Sequence, residues 1–253
     1  MVADVGYLAI MVAGLGAYWW QHLRTRPRIS TVRELFTSDA EVALHVAVHE
    51  ATTRRQPLSS LHLLYGLLQD EAVVAAIVTA GGNPDSVEDR VLTALAAPTD
   101  ESDEADEAGR LTRRAAALGH HAGHQASCTD LWAALTGSPA ARLLDDCKVD
   151  RGATLFALCH GGRAPEITLP DERDVFIVLR NDNYTTQEFV CSLLRDVFAL
   201  PDAQASAVML ATHTTGRAVV GRFTATAARD KIQRARALAR AQAFPLWIGV
   251  EPA

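Results

Sequence analysis

Cysteine is scarce in this sequence of 253 residues, and the four that occur show no CxxC spacing. This scarcity excludes a disulfide-stapled scaffold and a conventional cysteine zinc site, and it is typical of a reducing compartment. The sequence also lacks any GxxxxGK(S/T) segment, the loop whose backbone amides cradle nucleotide phosphates. We therefore expect no nucleotide hydrolysis, no bound metal and no other cofactor.

The chain also has no excess of positive charge, and its formal net charge is −6. This balance argues against a general nucleic-acid partner, since phosphate backbones are bound by surfaces rich in Lys and Arg. Hydrophobic residues make up 49% of the chain, enough for well-formed cores. The length favours two folded units over one, because single cores stop growing at roughly 250 residues.

The N-terminus contains sixteen consecutive residues without a charge, from Val5 to Trp20. As a helix this run spans about 24 Å, slightly less than the ~30 Å hydrocarbon core of a bilayer. Arg24, Arg26 and Arg28 follow it, whereas no basic residue precedes it as in a cleaved signal peptide. We predict that residues 1–22 form a single-pass anchor in the inner or cytoplasmic membrane, with the rest of the chain in the cytoplasm. A buried or disordered N-terminal helix is the alternative.

Residues 36–160 have the hydrophobic period of helices and form two copies of one four-helix pattern. In the first copy, Ser38 with Glu41 gives a capping-box signature, and Ser60 precedes a leucine-rich helix. The second copy repeats the same order from Leu111 to Leu158. This pattern predicts an all-α double-repeat domain.

Residues 161–172 contain glycines and prolines and predict a linker to a second domain. Beyond it, from residue 173 to residue 253, short apolar runs alternate with helical segments. The predicted order is β-α-α-β-α-β, which indicates a small α/β sandwich. The fold class is therefore an α+β multidomain protein, with a helical domain first and an N-terminal transmembrane helix.

Two clusters of reactive side chains suggest alternative functions that we do not favour. His120, His121 and His124 are closely spaced as metal ligands often are, but no fourth ligand is evident. Cys159 and His160 suggest a thiol nucleophile, yet adjacent helical residues point in different directions. We expect no catalytic residue, and so no enzyme.

The helical domain resembles the double-repeat N-terminal domain of Clp ATPases, especially the ClpA type. The likeness rests on LHLLYGLL after the serine, on the Gly-Gly-Asn turn at 81–83, and on FALCHG at 156–161. In that family the domain receives substrates and adaptors. The ATPase domains that the resemblance would place after it do not follow in this sequence.

The C-terminal domain resembles the ClpS adaptor family over about residues 173–250. The likeness is carried by VLRNDNYTTQEFV at 178–190, VMLATHTTGRAVVGRFT at 208–224 and FPLW at 244–247. It implies that Asn181, Asp182 and His213 bind the α-amino group of a peptide. The resemblance also implies a pocket for the first side chain and a surface for docking to a partner. The implied pocket residues are Thr185, Gln187, Val190, Met209, Thr212 and Leu246, and the implied docking residues are Thr226 and Lys231.

The chemistry of these residue types fits that role, because a free N-terminus is a cation at neutral pH and needs acceptors around it. Four positions depart from the family's pattern: Asn183 replaces an acid, Gln187 a gating methionine, Thr212 a valine and Thr226 an acid. These departures concern the first-residue preference and the docking surface, and they leave the predicted fold unchanged.

We expect an adaptor that binds destabilising N-terminal residues, large and apolar, and delivers substrate proteins to a Clp-type AAA+ ATPase and protease. We also expect an intramolecular contact between the two domains, near Thr226 and Lys231. The alternative is a scaffold or decoy that sequesters Clp adaptors or ATPase N-domains without delivering substrates.

Overall fold

The computed structural model describes residues 34–97, 107–167 and 174–252. The anchor predicted for residues 1–22 lies outside these described residues. Within them, no single helix is long and apolar enough to cross a bilayer. The consecutive helices Ser60–Leu67 and Glu71–Thr79 reach the length and apolar composition of a membrane span only when they are counted as one segment. The two helices are bent by 90° at their junction.

Eight helices occupy the first two described ranges, in the two successive sets of four that the sequence predicts. They are α1 (Ser38–Arg54), α2 (Ser60–Leu67), α3 (Glu71–Thr79), α4 (Pro84–Ala96), α5 (Glu107–His121), α6 (Cys128–Ala134), α7 (Pro139–Asp146) and α8 (Arg151–His160).

Two helix starts differ by one residue from the sequence prediction. The cap of α1 is Thr37, not Ser38, because the Thr37 hydroxyl accepts a hydrogen bond from the amide of Ala40 at 3.4 Å. The cap of α2 is Ser59, not Ser60, and the ring of His62 completes a capping box with it. A hydroxyl on either of two adjacent residues can satisfy the first amides of a helix, so composition alone does not separate them.

The two sets of helices share a single hydrophobic core. The segment before α1 pairs with the segment before α6, because the amide of Thr37 donates to the carbonyl of Ala126 at 2.9 Å. Gly66 allows α2 to lie against α1, since a Cβ at this position would overlap the carbonyl oxygen of Ala43. The repeats therefore form one helical domain, because a single repeat does not bury its apolar face alone and packs it against its neighbour.

The C-terminal domain has the predicted β-α-α-β-α-β order. Its elements are β1 (Asp174–Arg180), α9 (Gln187–Asp196), α10 (Asp202–Thr215), β2 (Arg217–Thr224), α11 (Ala225–Ala241) and β3 (Trp247–Pro252). The three strands form an antiparallel sheet with β1 in the centre, in the order β2-β1-β3. Val175, Ile177 and Leu179 alternate along β1 and enter a core that also contains Leu194 and Ile232.

The two domains contact each other where α8 lies beside the C-terminal end of α11. Gly152 is buried here, and a Cβ on it would lie 3.0 Å from the Cα of Ala243 and from the carbonyl oxygen of Arg240. The guanidinium Nε of Arg240 also lies 3.2 Å from an oxygen of Asp150. Exposed ion pairs of this kind contribute little, so the close approach at Gly152 dominates this contact.

This location corrects the expectation that the domains meet near Thr226 and Lys231. Those residues lie in the first half of α11, whereas the contact uses its last turn and the loop that follows. The ammonium of Lys231 is already used within its own domain, where it donates to the carbonyl of Val197 at 2.6 Å. The contact at the end of α11 therefore depends on the close approach of α8 rather than on the charge of Lys231.

We predict that Gly152→Val lowers the free energy of unfolding by about 1–3 kcal/mol, because the added methyl groups meet backbone atoms of α11 that cannot move aside. Urea unfolding followed by circular dichroism measures this change. Gly162→Val is the matched control, since nothing lies within 4 Å of a Cβ at Gly162. Equal stability of Gly152→Val and wild type would mean that the two domains do not pack here in solution.

Candidate functional site

The loop from Asn181 to Thr186, between β1 and α9, is organised by a single carboxylate. Oδ1 of Asp182 accepts hydrogen bonds from the amides of Tyr184 at 2.8 Å and Thr185 at 2.6 Å. Its Oδ2 accepts from the hydroxyl of Thr185 at 2.8 Å. A carboxylate offers about four lone-pair positions, so three of them shape the loop and roughly one is left for a ligand.

Thr186 places this loop at the start of α9. Its hydroxyl accepts from the amide of Phe189 at 3.3 Å and caps the helix. The hydroxyl of Thr185 is used instead inside the loop, where it donates to Asp182.

A cavity of about 620 Å³ opens beside this loop. Every residue that the sequence analysis assigned to amine binding or to the side-chain pocket lines it. These are Asn181, Asp182, Thr185, Gln187, Val190, Met209, Thr212, His213 and Leu246. Residues from the loop after β1, from α9, from α10 and from the loop before β3 thus converge on one space, although they are spread over 66 positions of the chain.

The cavity has an apolar part built by Val190, Met209 and Leu246. Val190 and Leu246 are buried, and Met209 is half-buried. Thr212 is buried beside them, and its hydroxyl donates to the carbonyl of Val208 at 2.8 Å. The proton of this hydroxyl is therefore used inside α10, so Thr212 offers a ligand only an acceptor.

The polar part lies around Asp182 and includes two exposed side chains at helix ends. His213 stands in the last turn of α10, and no other described residue forms a hydrogen bond with its ring. Gln187 is the first residue of α9 and is also exposed. The ring nitrogen and the amide oxygen are both able to accept a hydrogen bond from a bound group.

The two residues assigned to partner docking lie outside this cavity. Thr226 is exposed in the first turn of α11. Lys231 is half-buried, and its ammonium lies 5.7 Å from the ring centroids of both Phe198 and Phe223. The ammonium of Lys231 thus binds the carbonyl of Val197 at the end of α9 as well as contributing positive charge. A docking role for Thr226 or Lys231 stays a prediction.

Tyr184 was not predicted as a functional residue, yet it connects the site to the helical domain. Its hydroxyl donates to Oδ1 of Asp130 at 3.1 Å, and Asp130 is fully buried. The other oxygen of Asp130 accepts from the amide and hydroxyl of Ser127, at 2.8 Å and 2.7 Å. Burial and the negative charge of Asp130 raise the pKa of Tyr184 well above its usual value.

The helical domain supplies a second wall to the cavity that the sequence did not indicate. Its six contributions come from α5, α6, α8 and the loop after α6: Arg114, Leu118, His121, Ala133, Thr136 and Leu155. The sequence does not show that these residues face the cavity, because this depends on how the two domains pack. Only His121 was part of a noted cluster, and that cluster suggested a metal site instead.

Neither of the alternative sites is supported by the geometry. Burial, followed by the charges of Asp182 and Asp130, raises the pKa of the Cys159 thiol, which disfavours the nucleophilic thiolate. The ring of His160 lies 2.9 Å from the carbonyl of Pro245, a contact that holds the two domains together. Within the described ranges, no group of three His, Cys, Asp or Glu residues is arranged to hold a metal ion.

Comparison with known proteins gives two family matches in chain order. Residues 35–130 match the family described as the Clp repeat (R) N-terminal domain, and residues 170–249 match ATP-dependent Clp protease adaptor protein ClpS. The ClpS adapter of Nitratidesulfovibrio vulgaris is 40% identical over 95 residues, which cover 36% of this chain and 95% of that protein. The ClpS adapter of Neisseria gonorrhoeae is 42% identical over 84 residues, covering 33% and 80%.

A solved structure of Agrobacterium tumefaciens ClpS2 bound to L-phenylalaninamide also matches, with 33% identity and a TM-score of 0.32. The match covers 32% of this chain and 99% of that one. The ClpS family match places the likeness to these relatives in the C-terminal third of the chain.

We predict that Tyr184→Phe lowers the free energy of unfolding by about 1–3 kcal/mol at pH 7, because one oxygen of buried Asp130 loses its donor. The folded pKa of Tyr184 is raised above the value of about 10 for an unfolded tyrosine. Its stabilising effect is therefore complete below pH 10 and is lost as pH rises toward the folded pKa. The difference between wild type and variant in urea unfolding should accordingly shrink above pH 10.

Tyr65→Phe is the matched control, since the hydroxyl of Tyr65 makes no hydrogen bond to another described residue and its loss leaves Asp130 intact. A loss of stability in the Tyr65 variant as large as that in the Tyr184 variant would contradict the assigned role of the Tyr184–Asp130 hydrogen bond.

Proposed function

Because its C-terminal residues make this chain a member of the ClpS adaptor family, we propose that it binds substrate proteins by their N-terminal residues and delivers them to a Clp-type ATPase and protease. The ClpS family consists of non-catalytic adaptors, and the chain carries a Clp repeat N-terminal domain before its ClpS domain. Substrate binding by the N-terminus and delivery are the parts of this function that go beyond family membership.

The observation that carries the proposal is the convergence of nine residues on one cavity with a charged end and an apolar end. The carboxylate of Asp182 supplies negative charge and has about one lone-pair position left after its loop contacts. The amide oxygen of Asn181 and a ring nitrogen of His213 are the further candidate acceptors that line the cavity. Three acceptors around one point suit an ammonium group, which has three N–H donors.

The first side chain of the peptide would occupy the apolar end. Val190, Met209 and Leu246 line it, and a methionine adapts its shape to different apolar side chains. Burial of a Leu or Phe side chain contributes about 1.5–3 kcal/mol, so large apolar first residues are the favoured ligands. Gln187 stands exposed at the rim and sets how strictly these residues are distinguished.

A second candidate, a scaffold that sequesters Clp components, is favoured by the occupied surface of α11. Its C-terminal end is covered by α8, and its Lys231 is used on the carbonyl of Val197. Thr226 is neutral, so the docking surface has lost charge that a partner ATPase would meet. This candidate predicts tight contact with Clp components without any requirement for a free peptide amine.

We predict that a fluorescent peptide starting with Phe binds the full chain and that N-acetylation of the same peptide weakens binding by at least tenfold, because it removes the ammonium. Asp182→Ala should weaken binding of the free peptide by about ten- to a hundredfold, the equivalent of one charge-assisted hydrogen bond. Fluorescence anisotropy measures both effects.

Asp182→Asn separates charge from loop structure, because its amide oxygen still accepts from the backbone while the negative charge is gone. We expect it to unfold like wild type and to bind more weakly. Asp196→Asn, an exposed change outside the cavity, is the control. Equal affinity for free and acetylated peptides would exclude amine recognition and favour the scaffold function.

We also propose that residues 1–22 attach the chain to the cytoplasmic face of a membrane, on the evidence of the uncharged run and the arginines that follow it. Cell fractionation should recover the full chain with membranes, and a chain beginning at residue 30 in the soluble fraction. Recovery of both forms in the soluble fraction would contradict the anchor.

A further inference from the structure

The cavity beside Asp182 is larger than one side chain requires, and a second domain forms its far wall. From this geometry we infer that the helical domain selects substrates with Asp or Glu just after the first residue, and that Arg114 makes this contact. The inference rests on the proposed function, because it concerns the continuation of the same bound peptide.

A stripe along α5 faces the cavity. Arg114, Leu118 and His121 are four and three residues apart, which places them on one side of a helix. All three line the cavity together with Asp182 and His213 of the other domain. The wall of the helical domain is therefore a continuous surface that a peptide leaving the amine site would meet.

The charged side chains of the cavity are distributed unevenly. Among the residues that the structure describes, Asp182 is the one acidic residue in its lining, and its carboxylate is engaged with the loop and, in the proposed function, with the ammonium. The cationic or imidazole-bearing lining residues are Arg114, Arg180, His121 and His213, and the phenol of Tyr184 is also part of the lining. Beyond the amine site the cavity therefore favours negative groups on the ligand.

Arg114 is the cation best placed to take such a group. It is exposed, it touches the carbonyl of Thr136 at 3.5 Å, and it forms no ion pair with an acidic residue of the described ranges. Arg180, by contrast, is stacked 4.0 Å from the ring centroid of Trp247. A guanidinium without an acidic partner binds a carboxylate through two parallel hydrogen bonds, which suits Asp and Glu side chains.

An extended peptide held at the amine site would carry its second and third residues further into the cavity, whose far wall includes Arg114. An extended peptide advances about 3.3–3.6 Å per residue, so these side chains leave the backbone roughly 4–7 Å beyond the first one. A cavity of about 620 Å³ lies within the range of pockets that enclose a ligand larger than a single side chain.

The wall is held in register with the amine site by contacts close to both. Tyr184 belongs to the loop of Asp182 and is hydrogen-bonded to Asp130, at the start of α6. Ala133 of α6 and Thr136 just beyond it line the cavity. The same helix that holds the loop therefore also carries part of the wall, and the spacing between Arg114 and Asp182 is fixed by the fold.

The test compares three peptides that share a first Phe and differ only in the next two residues: Asp-Asp, Asn-Asn or Lys-Lys. For wild type at low salt, we expect the Asp-Asp peptide to bind about two- to fivefold more tightly than the Asn-Asn peptide, the range of a partly exposed ion pair. The Lys-Lys peptide should bind most weakly, and 0.5 M salt should reduce these differences.

Arg114→Glu should reverse the order of the Asp-Asp and Lys-Lys peptides, because it replaces the cation of the wall by an anion. Arg110→Glu, on the same helix but outside the cavity, is the control and should keep the wild-type order. Both residues are exposed, so neither change disturbs the core. Reversal in the Arg110 variant as well would overturn the assignment, because it would reflect net charge rather than a contact.

The two proposals fail in different ways. Equal affinities for the three peptides, with binding still abolished by N-acetylation, would overturn the selection by Arg114 and leave the proposed function standing. Binding that is insensitive to N-acetylation, or absent for all three peptides, would overturn the proposed function and this inference with it.

Discussion

A single buried carboxylate determines how the parts of this molecule fit together. Asp130 is fully buried, and a buried charge is tolerated only when donors surround it. Two donors come from Ser127 on the same helix, and the third comes from Tyr184 in the other domain. The position of Asp130 therefore decides where the loop of Asn181 and Asp182 lies, and with it the geometry of the cavity.

The side chain of Asp182 stabilises its own loop and, in the proposed function, also binds the ligand. It holds its own loop by accepting from Tyr184 and Thr185, and its charge is still turned toward the cavity. A loop fixed in this way needs no rearrangement to receive a ligand, which lowers the entropic cost of binding. The N-caps Thr186 and Ser127 also limit rearrangement, because they fix the starts of α9 and α6.

Local patterns were sufficient for most of the fold. Hydrophobic periodicity predicted the eight helices of the first domain, and short apolar runs between helical segments predicted the order of strands and helices along the second. The motif around Asn181 and Asp182 also predicted which residues meet in the cavity. The sequence could not reveal the wall that contains Arg114, or the hydrogen bond between Tyr184 and Asp130, because both depend on how two separately folded units pack. The sequence analysis also placed the interdomain contact near Thr226 and Lys231. The contact at Gly152 was missed because a glycine has no side chain whose chemistry would indicate a partner.

The connection after α8 has a consequence for competition between molecules. The guanidinium Nε of Arg163 donates to the carbonyl of Thr79 at 2.6 Å, so the chain leaving α8 is fastened to α3 before it reaches the second domain. A short tether keeps two attached domains at an effective concentration on the order of millimolar. A free helical domain of the same kind must displace the attached one to reach the same face. A separate helical domain at a far lower concentration would thus compete poorly for the end of α11 that α8 covers, whereas the face around Thr226 stays exposed.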